Sequence, residues 1–207
     1  MTFRVEVPWS DLKKAFHHAE EFWRLRCAPD LLIGGLFPNM KEITESMAAV
    51  SAAHRWAPRL GLSLSDPSVS VAVVGDGSTP RTAALAAYRS AWECHSIDPN
   101  LSRVSLDPSR AARREAAIRA VKRLHVHPYK AQEMPDPIRA EILLAVHSHA
   151  KIPDALLALA GLPRLIVAIP CCVAQVRPEG HHVLDERHDK GIWSPQNKVC
   201  CWARSAA

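Results

Sequence analysis

Strand-like runs alternating with helix-like stretches predict an α/β fold: a mostly parallel sheet flanked by helices, an antiparallel last strand and an N-terminal helical cap. Three observations carry this. Five strand-like runs lie between residues 69 and 169, and helical patterns separate most of them. The first run ends at a Gly-x-Gly turn, Gly75-Asp76-Gly77. Hydrophobic residues are 48% and charged residues 23% of 207, which suits one packed domain or one with an appendage. That composition excludes a disordered or fibrous chain.

The elements follow in order. Ser10 is placed to cap a helix from Asp11 to about Arg26, with Leu12, Phe16, Ala19, Phe22 and Trp23 as its apolar stripe. After a break from Pro29 to Pro38, Asn39 and Glu42 stand at capping-box spacing. The helix they open carries Ile43, Met47 and Val50 on one face and stops at Pro58. These segments make the cap, residues 1–60, and residues 61–207 make the sheet domain. Strands are expected at 69–74, 92–97, 123–127, 142–146 and 165–169. Helices are expected at 83–91, 108–121 and 154–160. Asn197 to Trp202 reads as a last strand, reached by an antiparallel return from His181 to Leu184.

Gly75 and Gly77 sit where a strand passes into a helix, so the backbone can take positive φ and approach a ligand. The helix behind the turn offers N–H groups and a positive dipole end, and Pro80 suits its first turn. Asp98 ends the second strand about 20 residues on, where a carboxylate accepts both hydroxyls of a ribose. The other reading of Asp98 is an Asx-Pro turn with Pro99. His147 and His149 follow the fourth strand, and Cys171 and Cys172 the fifth. In an open parallel sheet these are the ends that face a ligand, and imidazole is a proton acceptor near neutrality. The bland reading is a pair of strand-end histidines capping the next helix.

The six cysteines, Cys27, Cys94, Cys171, Cys172, Cys200 and Cys201, show no Cys-x-x-Cys spacing. Buried or pocket-lining thiols are the favoured reading, with no metal expected. Zinc and a disulfide are the alternatives.

Taken together, Gly-x-Gly after the first strand, an acid after the second and five alternating units resemble the class I S-adenosylmethionine-dependent methyltransferases, whose fold is Rossmann-like. His147-Ser148-His149-Ala150 followed by Pro170-Cys171-Cys172 is similar to a branch with Leu-His-x-Cys-Gly and Cys-Cys-Tyr or Cys-Cys-His motifs, which includes tRNA-modifying enzymes. Lys41-Glu42-Ile43 is similar to the helix that precedes the cofactor domain in that branch. The resemblance implies S-adenosylmethionine as cofactor, held by Gly75, Asp76, Gly77, Ser78, Asp98 and His147. It implies His147 and His149 as catalytic residues, and Cys171 and Cys172 on the acceptor side. The chain departs from the pattern at four places. Val73 replaces an acid, Thr79 a third glycine, His149-Ala150 the Cys-Gly pair, and Val173 the aromatic. Asp76 is the residue that would supply the missing charge near the methionine amino group.

Residues 101–130 hold eight basic side chains against Asp107 and Glu115, a local excess greater than the +5 of the whole chain. Arg110, Arg113 and Arg114 share a helical face and are the candidate RNA-binding residues. The leading expectation is methyl transfer to RNA, with tRNA foremost. A cofactor-binding module without turnover, or an enzyme acting on a small molecule or protein, is the alternative. The opening residues lack a secretory pattern and no run reaches the length of a membrane helix, so a cytoplasmic protein with no membrane partner is expected.

Overall fold

A computed structural model describes residues 9–102 and 107–204. Seven strands form one sheet: β1 (Ser70–Val74), β2 (Glu93–Ile97), β3 (Leu124–His127), β4 (Ile142–Val146), β5 (Leu165–Ile169), β6 (His181–His188) and β7 (Lys198–Arg204). Their order is β3-β2-β1-β4-β5-β7-β6. The first five are parallel, and β7 enters antiparallel between β5 and β6. The helices are α1 (Trp9–Trp23), α2 (Ala28–Ile33), α3 (Met40–Trp56), α4 (Arg81–Arg89), α5 (Pro108–Ala120) and α6 (Ile152–Leu156).

The central strands are apolar throughout because both of their faces are covered. Successive side chains point to opposite sides of the sheet. Val71, Val73, Leu144 and Val167 therefore join Ile43, Met47, Val50 and Leu85 of α3 and α4 in one core cluster. Ala72, Leu143, Ala145 and Ile166 join Ile152 and Ala155 of α6 in the other. Burying each large aliphatic side chain contributes about 1.5–3 kcal/mol before the entropy cost of ordering it. α3 thus packs directly on the sheet, and it carries the first turn that matters for function.

At that turn Asn39 accepts a hydrogen bond from the Glu42 N–H at 3.0 Å, which is the forward half of the expected capping box. The Glu42 carboxylate turns instead to Arg81, 2.6 Å away. Several expectations need adjustment. α1 starts at Trp9, so Ser10 falls inside its first turn. Ala19 and Phe22 of its stripe are buried, whereas Phe16 and Trp23 are exposed. The expected break at Pro29 contains α2, in which the missing N–H of an early proline costs nothing. α6 is shorter than 154–160 because Ile138 bonds to Ala158 and Ala160, drawing that segment away from helix. β6 runs four residues past Leu184, pairing with β7 across a register shift between Val183 and Asp185.

α1 is tied to the β6–β7 connection. His18 lies 3.1 Å from Asp189, and the Trp193 indole donates to the Ala15 carbonyl at 2.7 Å. Among the described residues no helix is long and apolar enough to cross a membrane. All six cysteines are free, and Cys27, Cys94, Cys200 and Cys201 are buried.

Candidate cofactor and acceptor site

β1 is the point at which the sheet's connections reverse, with β2 on one side and β4 on the other. Crevices open at such switch points, outside the carboxyl ends of the strands. A cavity of about 670 Å³ lies there, within the range of small-molecule sites. The ends of β1, β2, β4 and β5 supply Gly75, Asp98, His147 and Cys171 to its lining.

Gly75 has φ 78°, and an added Cβ would come within 2.7 Å of the Ser148 Cβ. Glycine is needed there on both counts. Gly77, at φ 83°, would meet only the mobile end of Arg81. The Gly77 N–H donates to Asp98 Oδ2 at 2.9 Å, and the Asn100 N–H donates to Oδ1 at 2.7 Å. One carboxylate thereby clamps the glycine turn to the end of β2. Each oxygen keeps a further lone pair for a ligand hydroxyl.

Asp76 has a different job from the one the sequence suggested. Its side chain is buried beneath α4, where it accepts from the N–H groups of Thr82 at 2.9 Å and Ala83 at 3.1 Å and from the Ser96 hydroxyl at 2.9 Å. Burial pushes its carboxyl up, opposed by Arg81 and these bonds. Asp76 does not line the cavity, and the N–H groups expected to be free for a ligand anion are in part its partners. Ser78 is exposed and also lies off the lining. Arg110 and Arg113 are exposed on α5, Arg114 is half-buried, and none of the three reaches the cavity. Arg103, in the same basic stretch, lies outside the described residues.

His147 adopts φ 47°, a left-handed conformation that is costly for a residue with a Cβ. Its Nε2 lies 3.0 Å from Glu45 Oε1, and the Lys41 ammonium stands 2.7 Å from the same oxygen. Glu45 is buried on α3, and burial pushes its carboxyl up against the pull of Lys41. Burial and then the Lys41 charge push His147 down to about 4, so its ring is neutral at pH 7. The Glu45–His147 approach lacks hydrogen-bond alignment: Glu45 Oε1 and Oε2 and His147 Nε2 are all buried without an aligned hydrogen bond among the described residues.

Across the cavity His149 Nδ1 lies 3.8 Å from Cys172 Sγ, and the two sulfurs are 3.7 Å apart. Cys171 Sγ also points at the Ser148 carbonyl at 3.8 Å. The hydrogen bond with Cys171 pushes the Cys172 thiol up. Gln175 latches this loop in place: its amide donates to the carbonyls of Ser148 and Ala150 and its oxygen accepts from the Ile152 N–H at 3.0 Å.

No protein-family model matches the chain, and no curated protein matches it. Solved structures do. A Glu-to-Gln mutant of MtNAS in complex with S-adenosylmethionine aligns with a TM-score of 0.54 and 12% identity, over 95% of this chain and 72% of that one. The 1,6-didemethyltoxoflavin-N1-methyltransferase of Burkholderia thailandensis, bound to 1,6-didemethyltoxoflavin and S-adenosylhomocysteine, aligns at 0.50 and 14%, over 100% of this chain and 94% of that one. The magnesium protoporphyrin IX methyltransferase of Synechocystis PCC 6803, with bound SAH, aligns at 0.50 and 12%, over 90% and 94%. At these identities the likeness is one of fold. The fold is the Rossmann-like, mostly parallel one expected, with its antiparallel last pair.

The structure brings Gly75, Gly77, Asp98, His147, His149 and Cys171 to one cavity, with Cys172 at its edge beside His149. It adds Arg81, Asn100, Tyr129 and Gln132, and places Glu45 behind His147. Glu45 had only its spacing as a signal in the sequence, an acid four residues after Lys41. Tyr129 and Gln132 had none.

Proposed function

We propose that the protein is an S-adenosylmethionine-dependent methyltransferase whose cofactor occupies the cavity at the ends of β1, β2 and β4. The observation that carries this is Asp98, joined to the Gly75–Gly77 turn and facing a cavity of ligand size. The residues fit the cofactor. The glycine cradle admits a close backbone approach, the Asp98 lone pairs match ribose hydroxyls, and Asn100, Tyr129 and Gln132 border the space beyond for a base. Glu42 and Lys41 at the other end offer charges for an amino-acid group.

When bound, the cofactor supplies a sulfonium methyl for direct displacement. The chain's contribution is position and a dry site. His147 is the proton acceptor, as a neutral ring with Glu45 behind it to stabilise the imidazolium. A weakly basic imidazole suffices, because the acceptor's proton becomes strongly acidic only as its bond to the methyl forms. Cys171 and His149 border the acceptor side. RNA is the acceptor class supported by the arginines of α5, which a long substrate could touch while one nucleotide sits in the cavity. Transfer of labelled methyl from S-adenosylmethionine to fractionated cell RNA tests this reading. Label that survives nuclease treatment moves the acceptor to protein or a small molecule. Tight cofactor binding with no transfer to any fraction refutes turnover.

A further inference from the structure

We propose that His149, Cys171 and Cys172 form a binding site for a thiophilic divalent cation, zinc foremost, with its fourth coordination position open to the cavity. One ligand atom from each side chain lies within 4.8 Å of the others. Zinc–sulfur bonds of about 2.3 Å in a tetrahedron place two sulfurs about 3.8 Å apart, and a sulfur and a nitrogen about 3.5 Å apart. The observed separations are 3.7 Å between the sulfurs and 3.8 Å from Cys172 Sγ to His149 Nδ1. The third separation, between Cys171 and His149, lies within 4.8 Å, and χ rotations of these side chains supply the closure the ion requires.

Adjacent cysteines in a strand point to opposite faces and cannot share an ion. Cys171 and Cys172 follow β5 in a bend, which turns both sulfurs the same way. Gln175 then fixes that bend against the segment carrying His149, so the three ligands are held before a metal arrives. Two thiolates and an imidazole form a donor set that favours zinc over hard cations such as magnesium. Both thiols lose their protons to solvent on binding, and the imidazole binds neutral. His149 and Cys171 line the cavity, so the open position faces the acceptor side. A three-ligand site of this kind keeps a place for water or substrate and acidifies an O–H or S–H bound there. That consequence for the acceptor rests on the proposed function, whereas zinc binding itself does not.

The test is titration of metal-free protein with zinc against a chromophoric competitor, with cobalt as the spectroscopic probe. One equivalent of zinc and a thiolate-to-cobalt charge-transfer band are expected. Cys171→Ser and Cys172→Ser should each weaken zinc binding at least tenfold and diminish the band, and His149→Ala should weaken binding similarly. An unchanged far-ultraviolet circular dichroism spectrum identifies variants that remain folded. Zinc held equally tightly by the Cys171→Ser/Cys172→Ser pair overturns the proposal and turns attention to His17, His18 and Asp189, the other clustered donors among the described residues. No zinc binding by the folded parent overturns it as well. Calorimetry with S-adenosylmethionine on the same samples separates the two readings: zinc binding without cofactor binding supports the site while refuting the proposed function.

Discussion

Asp98→Asn is the most direct probe of the cavity, because it removes charge and one acceptor while keeping shape. In the native chain the two carboxylate oxygens take the N–H groups of Gly77 and Asn100 at 2.9 and 2.7 Å. A cofactor ribose would add hydrogen bonds to a charged acceptor, worth about 1.5–3 kcal/mol each. Asparagine retains one carbonyl oxygen, able to hold a neutral bond of about 1 kcal/mol. The net loss in cofactor binding is then at least about 2 kcal/mol, or roughly 30-fold or more in Kd. The stability cost is smaller, about 1–2 kcal/mol, since one backbone N–H loses its acceptor at a partly buried place. Calorimetry with S-adenosylmethionine and with its 2′-deoxy analogue distinguishes a direct contact from a distorted turn. The substitution should cost less affinity for the analogue, which lacks one of the hydroxyls. Unchanged affinity for the parent cofactor, or an equal loss for both ligands, would refute the ribose assignment.

Three further outcomes are expected. Gly75→Ala should destabilise the fold by about 2–4 kcal/mol in urea unfolding, from its left-handed backbone and the approach to Ser148; adding Ser148→Gly should return part of the loss. Burial would raise the Asp189 carboxyl, but the hydrogen bond and charge of His18, the Gly191 N–H and His17 hold it down to about 2. A carboxyl depressed in the folded state stabilises above its ordinary value near 3.8 and loses that contribution as pH falls through about 2. The stability gap between parent and Asp189→Asn, about 2 kcal/mol at pH 5, should therefore close between pH 4 and pH 2. Arg110, Arg113 and Arg114 reversed to Glu should leave cofactor affinity intact and flatten the salt dependence of RNA binding by about 0.7–0.9 for each phosphate no longer neutralised; RNA binding indistinguishable from the parent between 50 and 200 mM salt would reduce α5 to a solvated face.

The two innermost strands on one side of β1 were legible because burial on both faces leaves no polar positions: β4 and β5 match the expected spans to the residue. Gly75 was legible for another reason, since the positive φ of a strand–turn–helix junction favours glycine there. Boundaries set by partners distant in sequence were not. The length of β6 depends on β7, and the shortness of α6 depends on Ile138, residues that periodicity within one segment never consults.

The same distinction explains the site. Asp76 occupies a position where the sequence pattern invites a ligand contact, yet three donors beneath α4 compete for its carboxylate. Capping a buried helix start satisfies N–H groups whose neglect would cost more than an exposed ligand charge could return. Once Asp76 is committed to the fold, the charge expected of it at the cavity has to come from elsewhere. It comes from the first turns of α3 and α4, where Lys41, Glu42 and Arg81 line the space. Glu45, one turn further into α3, reaches His147 instead. α3 therefore serves the sheet with one face and the cavity with its start. A change at Glu45 should consequently act on His147 while leaving the Gly77–Asp98 clamp untouched, because no hydrogen bond among the described residues joins the two sets. In Glu45→Gln the histidine keeps the burial and the Lys41 charge that hold it down to about 4, so the ring resonances in an NMR titration should still report a value well below the ordinary one. A rise would show that the Glu45 side chain carries the proton in the native pair.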